Sequence, residues 1–230
     1  MSAPQERAAF LVHGPGYEVQ LETLAIAGGG DLEIRSLLDR QQYWDPDGAA
    51  AHAGISSASW SLFGQIWPSA RLLANLMQSW NPAGRRILET GCGLGLASLV
   101  LHRRNCDITA SDCHPLAETF LHDNQRRNAL PFMKYLAASW SEVNPALGRF
   151  DLIIGSDILY ERNHPRQLAK FMNCHARPSA EVIVIDPGRT HRRAFTDAMA
   201  QHGFDCAPSR IEYQRIDAAP FRGHLLHYRR

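Results

Sequence analysis

Apolar residues recur along this chain with two periods, and the two alternate. Leu72, Leu73, Leu76, Met77 and Trp80 fall on one face of a helix that Pro68 opens and Asn81-Pro82-Ala83-Gly84 ends. A short strand, Arg86 to Thr90, runs into a glycine-rich loop, and Leu96 to Arg104 reads as the helix after it. Asp107 to Ser111 is a second strand, followed by a helix opened by Pro115 with Leu116, Phe120 and Leu121 inward. Further strands are expected at Tyr135 to Ala138, Phe150 to Ser156 and Glu181 to Asp186. Helices are expected at Pro165 to His175 and, capped by Thr190, at His191 to His202. The strands around 151–155 and 181–185 are apolar on both faces, as in a parallel sheet covered by helices on both sides. Repeated strand-helix units predict a doubly wound α/β sheet. The pattern changes at the end, where Ile211 to Ile216 and His224 to Tyr228 read as an antiparallel hairpin at the sheet edge.

The first 60 residues have a different texture. Tyr17 to Leu24 and Leu32 to Leu37 supply short strands between the breakers Gly28-Gly29-Gly30 and Asp45-Pro46-Asp47-Gly48, and Ala49 to Ser59 is mostly small residues. This segment is expected to be an N-terminal extension or lid (1–60) packed on a core domain (61–230).

Composition narrows the function. With 45% apolar and 20% charged residues in 230, the chain is an ordinary globular one. A net charge of +1 gives no global field toward nucleic acid or membranes. No apolar run approaches the roughly 18 residues that span a bilayer, and residues 1–16 make a poor signal peptide. Five cysteines lack any Cys-x-x-Cys pair, which fits reduced, mostly buried thiols in a cytoplasmic protein. The eleven histidines are scattered, so no metal site is expected.

The candidate chemistry lies in Arg86-Ile-Leu-Glu-Thr-Gly-Cys-Gly-Leu-Gly-Leu-Ala97. Glycines at 91, 93 and 95 let a backbone pass close to a ligand at the start of a helix. Asp112, ending the next strand, is placed to accept from both hydroxyls of an adenosine ribose. Leu96 stands where a dinucleotide fingerprint needs a small residue, and no Gly-Lys-Ser/Thr loop exists. Glu89 beside the loop repels phosphates but attracts an ammonium or sulfonium. An acid, alternating glycines and a ribose-binding acid suit S-adenosylmethionine, which would leave as S-adenosylhomocysteine.

Five patches carry a family resemblance across about residues 60–205. They are Gly64-Gln-Ile-Trp67-Pro-Ser-Ala, Leu88-Glu-Thr-Gly-Cys-Gly-Leu-Gly95, Thr109-Ala-Ser-Asp112, Ala138-Ser-Trp140 and Asp151-Leu-Ile-Ile-Gly-Ser-Asp157-Ile-Leu-Tyr160-Glu161. On these the chain resembles the class I S-adenosylmethionine-dependent methyltransferases, which have a Rossmann-like, mainly parallel seven-stranded sheet. Within them it is most similar to the protein-lysine methyltransferases with an Asp-x-x-Tyr motif after the fourth strand. Asp186-Pro-Gly-Arg189 is weakly similar to bacterial relatives that methylate the β subunit of electron transfer flavoprotein. The resemblance implies that Gly91, Cys92 and Gly93 cradle the methionine half, Asp112 holds the ribose and Trp140 flanks the adenine. It implies that Trp67 closes the methionine end, while Ser156 and Asp157 line the cofactor beside the acceptor channel. Ser139 stands where the family often has an Asp that accepts from the adenine amino group, and a hydroxyl accepts more weakly.

A lysine amine is a poor nucleophile at neutral pH, and a partly dry channel lowers its pKa. Asp157 would orient the amine, and Tyr160 would accept a hydrogen bond or offer its ring face. An alternative is that Asp157 caps the following helix while Tyr160 only packs. His164 reads as a cap or surface residue, and Cys92 and Cys113 as small apolar fillers. Arg189, Arg192 and Arg193 read as a solvated helix face. The expected partner is a protein bearing the acceptor lysine, not nucleic acid. A small-molecule N- or O-methyltransferase and a non-catalytic cofactor-binding module are the alternatives.

Overall fold

The computed structural model describes residues 10–13, 16–216 and 219–230. Three antiparallel strands come first, β1 (Phe10–His13), β2 (Glu18–Leu24) and β3 (Leu32–Leu37), in that spatial order. The short helix α1 (Ala49–His52) follows, held by Asp45, whose carboxylate accepts from the N–H groups of Ala50 and Ala51 at 3.0 Å each. A 3-10 turn at Trp60–Gly64 leads into α2 (Pro68–Ser79). Strands and helices then alternate: β4 (Arg86–Thr90), α3 (Leu96–Arg103), β5 (Asp107–Ser111), α4 (Ala117–Arg127), β6 (Lys134–Tyr135), β7 (Phe150–Ser156), α5 (His164–His175), β8 (Ala176–Asp186) and α6 (Arg192–Gln201). The long strands β9 (Asp205–Ile216) and β10 (Ala219–Arg229) end the chain.

The second sheet has seven strands in the order β6-β5-β4-β7-β8-β10-β9. The first five are mutually parallel, and β10 runs antiparallel between β8 and β9. The expected doubly wound sheet with a C-terminal hairpin is therefore present, with the second strand of the hairpin inserted one place inside the edge. Period-2 alternation sorts the strands into two cores. Ile87, Leu152, Ile154, Ile183 and Ile185 face one core with α2, α3 and α4, whereas Leu88, Ile153, Val182 and Val184 face the other with α5 and α6.

The N-terminal sheet shares the first core through Val19, Ile34 and Leu37. Two asparagines, Asn124 on α4 and Asn128 just past its end, close the edge of β3. Asn124 accepts from the Arg35 N–H at 2.6 Å and donates to its carbonyl at 3.2 Å, and Asn128 does the same for Glu33 at 2.9 and 2.8 Å. Four helical residues advance about 6 Å and two strand residues about 6.7 Å, so side chains four apart meet backbone groups two apart. The edge is satisfied without a further strand.

Several boundaries differ from the expected ones. The strand at 135–138 is only Lys134–Tyr135, and the chain beyond it turns to bring Ala138 N–H to the Asp112 carbonyl at 3.1 Å. β8 begins five residues early, because Ala176 pairs with Phe150 through an irregular stretch that polar residues obscure in the sequence. α6 begins after His191 with no side-chain cap, so Thr190 does not cap it, and α4 begins after Leu116. Of the cysteines, Cys92 is buried, Cys113 is exposed and the other three are half-buried, all of them free. Among the described residues no helix is long and apolar enough to cross a membrane.

Candidate active site

One cavity of about 530 Å³ lies at the C-terminal ends of β4, β5 and β7 and under the segment that precedes α2. Such a crevice beyond the carboxyl ends of parallel strands is where open α/β sheets bind ligands. Of the residues expected from the sequence, Trp67, Gly91, Cys92, Gly93, Asp112, Ser139, Trp140, Ser156, Asp157 and Tyr160 all line it. Glu89 and Gly95 do not.

The structure places Glu89 one layer behind the loop, 2% exposed. Its Oε2 accepts from the Ser98 N–H at 2.7 Å and from the Ser98 hydroxyl. Gly95, the residue before α3, has no side chain with which to cap that helix. Glu89 supplies the missing acceptor from the neighbouring strand, beside the positive end of the helix. Burial outweighs these bonds and pushes its carboxyl up to about 7.

The glycine loop is tight because protein crowds it. Gly93 has φ +52, and a Cβ there would stand 2.7 Å from the Phe63 carbonyl oxygen. Gly91 has φ +61, and its Cβ would meet Trp140 and Ile158 at under 3 Å. Both positions admit glycine alone, and both let the 3-10 turn and Trp140 approach the loop. Asp112 is buried, with Oδ2 accepting from the Gly93 N–H and Oδ1 from the His114 N–H at 2.9 Å each. Desolvation raises its pKa in spite of these bonds. Trp140 is anchored by its indole N–H on Thr90 Oγ1 at 2.8 Å, and the Ser139 and Ser141 hydroxyls pair at 2.8 Å. Trp67 donates its indole N–H to the Leu62 carbonyl at 2.9 Å, with the Arg40 guanidinium 4.8 Å from the ring centre.

Beyond β7 the chain does not turn helical. Asp157 takes a left-handed conformation, φ +54, and α5 starts only at His164 after Asn163. Asp157 therefore caps no helix, contrary to the expected alternative. Its Oδ1 accepts instead from Arg189 Nε at 2.8 Å. Arg189, read from the sequence as part of a solvated helix face, lines the cavity from the loop after β8. Tyr160 is 39% exposed and packs edge-on against His164, 4.6 Å between ring centres. His164 is not on the surface: it is buried, donates Nδ1–H to the Ile158 carbonyl at 3.1 Å, and meets Trp140 edge-on.

Several lining residues escape sequence reasoning, Phe63 and His114 among them. Phe63 and His114 stack at 3.7 Å and 14°, closing the cavity on the N-terminal side. Burial pushes the His114 imidazole down to about 3, so it is neutral. Leu116 N–H donates to its Nδ1 at 3.2 Å, leaving the proton on Nε2, which is buried without a partner among the described residues. The lining carries three carboxylates, Asp112, Asp157 and Glu161, against the single guanidinium of Arg189. That balance fits a ligand bearing an ammonium and a sulfonium better than one bearing phosphates. The orphan Nε2–H and the carboxylate of Asp112 fit the polar atoms of a nucleoside. Among the described residues no group of His, Cys, Asp and Glu could hold a metal ion.

A family model described as a methyltransferase domain matches residues 68–229. The calmodulin-lysine N-methyltransferase of Arabidopsis thaliana is 27% identical over 135 residues, covering 54% of this chain and 44% of that protein. A ubiquinone biosynthesis O-methyltransferase from Sodalis glossinidius is 25% identical over 151 residues, covering 63% of this chain and 60% of that protein. The chain thus matches only about half the length of these relatives. The fold is also similar to that of magnesium protoporphyrin IX methyltransferase from Synechocystis with bound SAH, with a TM-score of 0.55, 16% identity and coverage of 73% of this chain and 89% of that one.

Proposed function

On the premise that this chain belongs to the methyltransferase-domain family, we propose that it transfers a methyl group from S-adenosylmethionine to the side-chain nitrogen of a lysine in a partner protein. One observation carries the reading: the loop at Gly91–Gly93, the ribose-suited carboxylate of Asp112 and the pair Asp157 and Tyr160 all line a single cavity. S-adenosylmethionine, when bound, supplies a methyl on a positively charged sulfur, and its displacement by a lone pair leaves both electrons of the broken C–S bond on that sulfur.

The protein's part is to bind, align and dry. Gly91, Cys92 and Gly93 would hold the methionine half and Trp67 would close over it. Asp112, whose carboxylate lines the cavity, would accept from the ribose hydroxyls. Trp140 would flank the adenine beside Ser139, and Ser156 would line the cofactor next to the acceptor. Asp157 would accept an N–H of the incoming amine and so aim its lone pair, with Tyr160 forming the mouth. Cys92 is no relay, because burial pushes its thiol far above the ordinary range and keeps it protonated. The end of the N-terminal extension would serve as a lid, since Ala53, Gly54, Ile55 and Ser59 line the same cavity.

The similarity to a lysine methyltransferase supports a lysine acceptor. The similarity to an O-methyltransferase of ubiquinone biosynthesis favours a small-molecule acceptor as the second reading. The test is to incubate the protein and cofactor labelled in the methyl group with cell extract split into macromolecular and small-molecule fractions. A labelled protein band that yields methyl-lysine on hydrolysis is expected. Label confined to the small-molecule fraction overturns the lysine reading, and bound cofactor with no label anywhere points to a non-catalytic module.

A further inference from the structure

Asp157, the carboxylate assigned to the acceptor amine, is already paired. Arg189 Nε donates to Asp157 Oδ1 at 2.8 Å, and no described residue hydrogen-bonds Oδ2. Both partners are held by their backbones. Asp157 sits in the left-handed region with its N–H donating to the Ile185 carbonyl at 2.9 Å. Arg189 rides on a turn in which the N–H groups of Gly188 and Arg189 both donate to Asp186 Oδ1 at 2.9 Å, and Asp186 is fully buried. Such fixing at both ends separates this pair from a chance surface contact between long side chains. A non-glycine residue kept at positive φ is a strained arrangement that such surroundings must impose.

Methyl transfer needs the amine neutral, because an ammonium has no lone pair. A bare carboxylate beside the amine favours the ammonium and works against the reaction. A guanidinium on that carboxylate cancels its charge and places a like charge near the nitrogen, which favours the neutral amine. Oδ2 stays available to accept one N–H and orient the lone pair. We propose that Arg189 is a positioning residue that neutralises Asp157 and so keeps the acceptor lysine of the proposed reaction in its nucleophilic form. The inference rests on the lysine reading. The proton leaves the ammonium for solvent at the open mouth before the transfer, so the pair itself exchanges none.

Other ionisable groups surround this pair: Asp186 and Tyr160 act on it directly, Arg192 acts on Asp186, and Asp112, Cys113, Glu161 and His164 line the same cavity. All are unchanged between Arg189→Gln and Arg189→Lys, which differ in charge at one place. The experiment is the single-turnover rate at saturating S-adenosylmethionine and the purified protein that takes up label in the extract assay, followed from pH 6 to pH 10 for the wild type and both variants. Calorimetry with adenosylhomocysteine checks folding and cofactor binding. In Arg189→Gln the acid limb should move up by about one pH unit, a loss of about tenfold below it, and Arg189→Lys should restore it. A uniform rate loss with the limb unmoved, or a limb moved as far in Arg189→Lys, overturns the role. A product other than methyl-lysine overturns the lysine reading and this inference with it, whereas methyl-lysine with an unmoved limb overturns this inference alone.

Discussion

Replacing Glu89 by Gln tests whether the acid beside the glycine loop acts as a buried helix acceptor. Glu89 is 2% exposed and takes both the N–H and the hydroxyl of Ser98. Its carboxyl is raised from 4.5 to about 7 by burial. Between those values the folded protein holds a proton that the unfolded chain has lost. Stability contributed by this group is therefore complete below pH 4.5, falls as pH rises toward 7 and is level above it. Integrating the difference gives a loss of about 2–3 kcal/mol between pH 5 and pH 8. Gln keeps a carbonyl acceptor for Ser98 but does not titrate. Urea unfolding followed by circular dichroism at each pH, treated as two-state, gives both stability curves. The wild type should lose about 2–3 kcal/mol relative to Glu89→Gln across that range. Parallel curves would refute the reasoning, because they would mean a carboxylate ionising as it does in water.

Two further substitutions separate folding from function. Gly93→Ala forces a Cβ to 2.7 Å from the Phe63 carbonyl at φ +52, and should cost at least about 2 kcal/mol in urea unfolding and weaken adenosylhomocysteine binding; an unchanged midpoint would contradict the crowding. Asp157→Gly relieves a left-handed backbone and loses a partly exposed ion pair, so its stability should stay within about 1 kcal/mol of wild type while single-turnover transfer is lost. Retention of near-normal transfer would remove Asp157 from the chemistry.

The sheet was legible because its strands are apolar in a way few other elements are. Leu152, Ile153 and Ile154 cannot satisfy both cores except as a strand with helices on each side. The start of β8 was not legible, because Arg177, Pro178 and Ser179 carry no strand pattern and their place is set by pairing alone. At the site, Asp112, Gly91 and Gly93 stand out through spacing, and the structure brings them to one cavity with Trp67, Trp140, Asp157 and Tyr160, while Gly95 lies outside it. The place of Glu89 behind the loop is not legible, since nothing local distinguishes a carboxylate facing a ligand from one accepting from the next helix. The Arg189–Asp157 contact spans 32 positions and depends on the turn at Asp186, so no periodicity could reveal it. The same holds for Phe63 stacked on His114, a contact between the 3-10 turn before α2 and the loop after β5.

Calorimetric titration of the purified protein with adenosylhomocysteine, NAD and ATP bears most directly on a pocket chosen for a sulfur nucleoside. Saturable 1:1 binding of adenosylhomocysteine, undisturbed by a large excess of NAD or ATP and lost in Asp112→Ala, is the predicted result. Tight binding of NAD or ATP, with no heat from adenosylhomocysteine, would contradict it.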